Sequence, residues 1–94
     1  LAAVFGAHGV PVTSTKAIHG HLLGAGGAVE LLAAACALVA SRLPPTANTE
    51  VVDPAFAIDL VTGAARDAPA LRHALSSSFA FGGTNAVLVA SRAG

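Results

Sequence analysis

Ser14-Thr15-Lys16-Ala17-Ile18-His19-Gly20-His21-Leu22-Leu23-Gly24-Ala25-Gly26-Gly27-Ala28-Val29-Glu30 sets a lysine, two histidines and four glycines immediately ahead of the longest apolar run, with a carboxylate inside it. No other stretch places ionisable groups beside so many small residues. The helix reads from about His21 or Leu22 to Ser41-Arg42 and stops before Pro44-Pro45. Upstream, Val10-Pro11-Val12-Thr13 reads as a short strand, with Pro11 near its start where a missing N–H is tolerable. Ser14 to Gly20 is then a strand-to-helix loop. Leu1 to Phe5 reads as the last turn of a helix, stopped at Gly6.

Downstream, Pro44-Pro45-Thr46-Ala47-Asn48 is a rigid extended segment leading to the turn signal Asp53-Pro54. Ala57 to Val61 is a short strand and Ala64 to Pro69 a polar connection. Leu71 to Phe79 and Ala86 to Ser91 are strands. Gly82-Gly83-Thr84-Asn85 between them is a tight reversal, so these two pair antiparallel. The order is helix end, strand, long buried helix, then mostly antiparallel strands: an α/β layer with its helix packed on a sheet.

Composition narrows the function classes. The net charge is zero, which leaves no basic surface for nucleic acid. The chain is 54% apolar, the opposite of the disordered signature. Ninety-four residues cannot bury that much apolar side chain in a core of their own, so the surplus is expected against another chain, a membrane or further residues of the same protein. The opening Leu-Ala-Ala-Val-Phe-Gly has no basic region and reads as a helix cut in its middle, not as a signal peptide. A single cysteine excludes an internal disulfide framework and fits a reducing, cytoplasmic compartment. Leu22 to Ala40 approaches the length of a membrane span. Glu30 at its centre is expensive in lipid, and Gly24, Gly26 and Gly27 are poor helix formers, so a helix buried in protein is the better reading.

His21 is the first candidate for chemistry. The positive end of a helix dipole disfavours imidazolium, and a neutral imidazole there can donate one N–H to a carbonyl or developing enolate. The alternative is a histidine that only caps its own helix. Lys16 is either a solvated loop lysine or a partly buried ammonium needing an acidic partner. Glu30 is the nearest acid, but nine helical residues set it about 13 Å beyond His21 along the axis. In Phe79-Ala80-Phe81-Gly82-Gly83-Thr84-Asn85, two aromatics beside paired glycines give apolar walls and exposed backbone N–H groups suited to an oxyanion and an acyl chain. An ordinary hairpin turn with core phenylalanines is the alternative. Cys36, among alanines and leucines, reads as a core thiol. His19-Gly20-His21 lacks nearby cysteine or carboxylate ligands, so no metal site is expected, and no cofactor is expected for the chain.

The stretch Ser14 to Glu30, then Leu43-Pro44-Pro45-Thr46-Ala47-Asn48, then Ser78-Phe79-Ala80-Phe81-Gly82-Gly83-Thr84-Asn85, resembles three successive motifs of the elongating β-ketoacyl-acyl carrier protein synthases. These are the condensing enzymes of fatty-acid and type II polyketide synthesis. Thiolases share a Gly-His motif, but their late cysteine has no counterpart after Cys36; modular polyketide ketosynthases diverge from Leu22-Leu23-Gly24-Ala25.

The resemblance implies the C-terminal part of a thiolase-like αβαβα fold, with residues 1–94 forming a partial ketosynthase domain whose N-terminal half lies elsewhere. It implies decarboxylative Claisen condensation of a cysteine-bound acyl group with a malonyl thioester on acyl carrier protein, in a homodimer or a ketosynthase heterodimer. His21 is then one of two active-site histidines, Lys16 the motif lysine, and Glu30 the acid supporting it. The Phe81 N–H belongs to the oxyanion hole; Phe79 and Phe81 gate the acyl pocket, and Gly82 and Gly83 free that loop. The family's nucleophilic cysteine and other histidine have no counterpart here, so the chain alone is expected to be inactive. Ala80, Ser77 and His19 stand where glycine, asparagine and threonine are usual. The rival readings are a chain-length-factor-like subunit without catalysis, a broken-gene remnant, and a membrane hairpin.

Overall fold

The computed structural model describes residues 1–94 and resolves two units. The first comprises Leu1–Gly20 and Leu43–Arg66; the second comprises His21–Arg42 and Asp67–Gly94.

Val61, the most deeply buried side chain, anchors the first unit. Beside it, β1 (Pro11–Val12) and β3 (Asp59–Leu60) pair in parallel, Pro11 opposite Asp59 and Val12 opposite Leu60. The Val61 N–H donates to Val12 O at 2.9 Å, and its carbonyl accepts the Thr46 N–H at 2.7 Å. Both backbone groups of a residue that has lost its water are thereby satisfied. Burying such a valine contributes about 1.5–3 kcal/mol. Pro44-Pro45-Thr46 is held on the same framework: Thr13 Oγ1 donates to Pro44 O at 2.7 Å and Thr46 Oγ1 accepts the Ser14 N–H at 3.2 Å. The short helix α1 (Ala2–Phe5) ends at Gly6 with φ 83°, as its sequence predicts. Asp59 takes both arms of the Arg66 guanidinium, at 2.6 and 2.9 Å.

One element here was not legible as structure. Lys16–His19, expected as loop, forms the single-turn helix α2. Four residues cannot nucleate a helix alone, so the turn depends on side-chain clamps described below.

The second unit packs the helix α3 (Gly26–Ala40) on a hairpin of β5 (His73–Phe79) and β6 (Asn85–Ser91). The hairpin is antiparallel as expected, with Phe79 opposite Asn85, Ser76 opposite Leu88 and His73 opposite Ser91. Because strand side chains alternate, Ala74, Ser76 and Ser78 share one face, and Leu75, Ser77 and Phe79 the other. The small-residue face meets the helix: Ser76 is buried, and a Cβ placed on Gly27 would sit 3.6 Å from Ser78 Oγ. Two short strands remain, β2 (Arg42–Leu43) and β4 (Arg66–Asp67); β4 falls where the sequence reads as polar connection.

The helix departs from expectation at its start and in its burial. It begins at Gly26, preceded by a 3-10 turn at Leu23–Ala25. Gly24 lies in that turn, and the helix opens on Gly26 and Gly27 before alanine and leucine sustain it. Ser41 ends it in a left-handed conformation, φ 53°. Gly26, Glu30, Ala33, Ala37 with Leu38, and Ser41 recur every three or four residues and are buried or half-buried. Ala28, Leu32, Ala35 with Cys36, and Val39 form a second stripe that is open. Cys36 is therefore exposed, contrary to its reading as a core thiol. Its neighbours are apolar, but they belong to a helix that is apolar all round, of which these residues cover one side only. By length and composition alone Leu23–Ala40 is apolar enough to cross a membrane, though Glu30 interrupts it and β5 and β6 pack on it.

Candidate active site

Three segments carry the expected site residues, and each is organised locally. In the first unit, α2 presents Lys16 at its start, exposed, with Thr15 as the preceding cap residue. The turn closes through the Gly20 N–H on Lys16 O at 2.7 Å. Across it, His19 Nε2 lies 2.7 Å from Thr15 Oγ1, while His19 Nδ1 lies 2.8 Å from the Gly20 carbonyl oxygen. A carbonyl only accepts, so Nδ1 carries the hydrogen; in the neutral ring Nε2 then accepts from the threonine hydroxyl. Gly20 has φ 78°, a left-handed backbone that favours glycine.

In the second unit, His21 stands exposed two residues ahead of the 3-10 turn. Its Nδ1 accepts the Leu23 backbone N–H at 3.1 Å. An N–H can only donate, so Nδ1 is unprotonated and the neutral ring carries its hydrogen on Nε2. This contact lies ahead of the 3-10 turn; the cap residue of α3 is Ala25, so His21 does not cap the long helix. The bond through Nδ1 leaves Nε2–H as the ring's donor. Leu23 adopts φ 50° to make the contact, a conformation that costs a non-glycine residue about 1 kcal/mol or more.

Also in the second unit, the loop from Ala80 to Thr84 joins β5 to β6 and is closed by the Ala80 N–H on Thr84 O at 2.8 Å. Phe81–Gly83 forms a 3-10 turn with Gly82 and Gly83 at φ 81° and 82°. Phe81 is its first residue, so its N–H has no acceptor within the turn. The Phe81 ring is wholly solvent-exposed and Phe79 largely so, neither being a core phenylalanine among these residues. Gly27, six residues after His21, packs on Ser78, one residue before Phe79. The helix entrance and the phenylalanine loop thus share one end of this unit. Glu30 is half-buried in α3, and both Lys16 and Glu30 take part in polar or electrostatic interactions.

Two contributors were not singled out from sequence: the Leu23 N–H, which selects the His21 tautomer, and Thr15, which engages His19. The second left a signal. Thr15 and His19 are four apart, the spacing that places side chains on one face of a helical turn. No three metal-ligating side chains converge anywhere in the chain.

The first unit thus holds a parallel strand pair and the second a helix on an antiparallel hairpin, an α/β segment with a histidine ahead of the helix and two glycines of positive φ in the hairpin loop. The family described as "Beta-ketoacyl synthase, C-terminal domain" matches residues 1–50, and the chain belongs to it. Similar proteins include the 3-oxoacyl-[acyl-carrier-protein] synthase 2 of Vibrio cholerae, 42% identical over 83 residues that cover 88% of this chain and 20% of that one. Nodulation protein E of Rhizobium meliloti is 41% identical over 87 residues, 90% of this chain and 21% of that one. Among solved structures, "The ishigamide ketosynthase/chain length factor" superposes with a TM-score of 0.92 at 32% identity, covering 99% of this chain and 23% of that one. The fold is accordingly thiolase-like α/β, and the chain spans about a fifth of the length of these curated relatives.

Proposed function

We propose that these residues are the C-terminal part of a β-ketoacyl-acyl carrier protein synthase, completed by a nucleophilic cysteine and a second histidine from residues beyond the 94. The observation that carries this reading is the Leu23 N–H bond to His21 Nδ1, which commits the ring to donating from Nε2. In the reaction, an acyl group leaves its thioester for the cysteine sulfur. Malonyl thioester then loses CO2, and the electron pair of the broken carbon–carbon bond forms an enolate. His21 Nε2–H donates to the malonyl thioester oxygen and stabilises that charge as it develops. The enolate carbon attacks the acyl carbonyl, whose oxygen is held by the Phe81 N–H together with that of the cysteine. Expulsion of the thiolate completes the ketoacyl product. Lys16 and Glu30 support the site electrostatically, and Phe79 and Phe81 line the acyl path on a loop that Gly82 and Gly83 allow to turn.

The partner implied is acyl carrier protein bearing the acyl or malonyl thioester, in a cytoplasmic homodimer or ketosynthase heterodimer serving fatty-acid or polyketide synthesis. The 94 residues alone, without the nucleophile, give no condensation. The test is to express the complete chain, supply acyl and malonyl thioesters of carrier protein, and follow ketoacyl product. Malonyl-dependent product from the complete chain supports the proposal. A complete chain with glutamine in place of the nucleophile and no product would support the chain-length-factor reading instead.

A further inference from the structure

The proposed reaction uses His21, Lys16, Glu30 and the phenylalanine loop, and leaves His19 without a role. Its two ring nitrogens are nevertheless both committed, to Thr15 Oγ1 at 2.7 Å and to the Gly20 carbonyl oxygen at 2.8 Å. We propose that His19 is a positioning residue, whose ring bridges Thr15 to the Gly20 carbonyl and so fixes the peptide plane from which His21 starts.

The argument is covalent and local. The Gly20 carbonyl belongs to the same planar peptide unit as the His21 N–H, so an oxygen held in place holds the next residue's origin. Glycine makes such a hold necessary. Gly20 sits at φ 78° and ψ 179° with no side chain to restrict it, and without restraint its carbonyl is free to rotate. Its N–H is already tied to Lys16 O at 2.7 Å, and His19 ties its oxygen. Thr15 orients the ring from the other side, across the four-residue span of α2. The same turn carries Lys16, so one imidazole braces the segment bearing the motif lysine and leading into the motif histidine.

This inference rests on the proposed condensing function and is tested in the complete enzyme with His19→Asn, His19→Gln and Thr15→Val. The asparagine amide nitrogen stands close to where Nδ1 stood and can still donate to Gly20 O; the glutamine amide reaches the Nε2 position and cannot. Two steps are measured: acyl loading of the nucleophile, which does not need His21 as donor, and malonyl-dependent condensation, which does. H19Q is expected to slow condensation about tenfold or more while acyl loading falls less than about twofold. H19N is expected to keep condensation within about threefold of wild type, and T15V to lie between the two. An active wild type whose H19Q variant condenses equally fast would overturn the role of His19 alone, as would equal losses in both steps, which indicate only general damage. A wild-type complete enzyme that loads acyl groups but never condenses them would overturn the functional reading and this one with it.

Discussion

The Leu23 backbone N–H donates to Nδ1 of His21 at 3.1 Å, while two residues earlier His19 Nδ1 donates to the Gly20 carbonyl at 2.8 Å. The same ring atom therefore accepts in one histidine and donates in the other. In their neutral forms the imidazoles of His19 and His21 are therefore opposite tautomers.

Nitrogen NMR of the histidine-labelled complete chain, above neutral pH, tests this directly. His21 is expected to show a hydrogen-bearing Nε2 and a bare Nδ1, and His19 the reverse. Both rings hydrogen-bearing at Nε2 would contradict the geometry around His19, and both at Nδ1 would contradict it around His21.

Glycine replacements should separate by backbone conformation and by space. Gly82 and Gly83 have open space for a Cβ but φ 81° and 82°, so alanine at either costs about 1 kcal/mol of conformational energy and stiffens the Phe81 loop. Gly26 and Gly27 lie in α3 with room for a methyl group, so alanine there should stabilise the helix by about 0.5–1 kcal/mol. A Cβ on Gly9 would fall 1.7 Å from Phe5 O, making G9A the most damaging of the set. Melting temperatures of the five variants of the complete chain give the ranking.

The Arg66 guanidinium, through its two hydrogen bonds, holds the Asp59 carboxyl below the ordinary carboxylate range against the opposing effect of partial burial. A depressed folded value means the stabilisation is present above the unfolded value, about 3.9, and is lost as pH falls through the folded one. Asp59→Asn should therefore lower denaturant midpoints at neutral pH, with the gap to wild type closing below pH about 4. A gap that persists unchanged into acid would assign the loss to packing rather than to the ion pair. The Arg42–Asp67 pair at 3.0 Å, between well-exposed side chains, should by contrast be nearly silent.

Cys36 reports on the open stripe of α3. In the 94-residue chain it should react with a thiol reagent as readily as a free thiol, since it is exposed. In the complete chain, if residues beyond the 94 cover Leu32, Cys36 and Val39, labelling should slow by about a hundredfold or more, the protection expected of a thiol released only by local opening. Equal labelling in both would contradict the expectation that further residues of the same protein cover this apolar surplus.

How far the sequence carried these conclusions varied with the range of the interaction. The hairpin was legible because alternation and Gly82-Gly83 are local signals, and Phe79 does face Asn85 across it. The parallel pairing of Val12 with Leu60 was not, since nothing near either residue encodes a partner almost fifty positions away. The helix α2 escaped because four residues have no periodicity to read. Cys36 was misplaced because apolar neighbours argue burial in general but not on which face of a helix. At the site, His21 and the Phe81 loop stood out by residue type. The tautomer did not, because it depends on Leu23 taking φ 50°.

The most direct test is the condensation rate of the complete enzyme with His21→Asn, measured beside acyl loading. An asparagine oxygen can still accept the Leu23 N–H, but no hydrogen remains where Nε2–H stood. Condensation is expected to fall about a hundredfold or more, with loading near the wild-type rate. Wild-type condensation by H21N would contradict the assignment of His21 as the donor to the malonyl thioester.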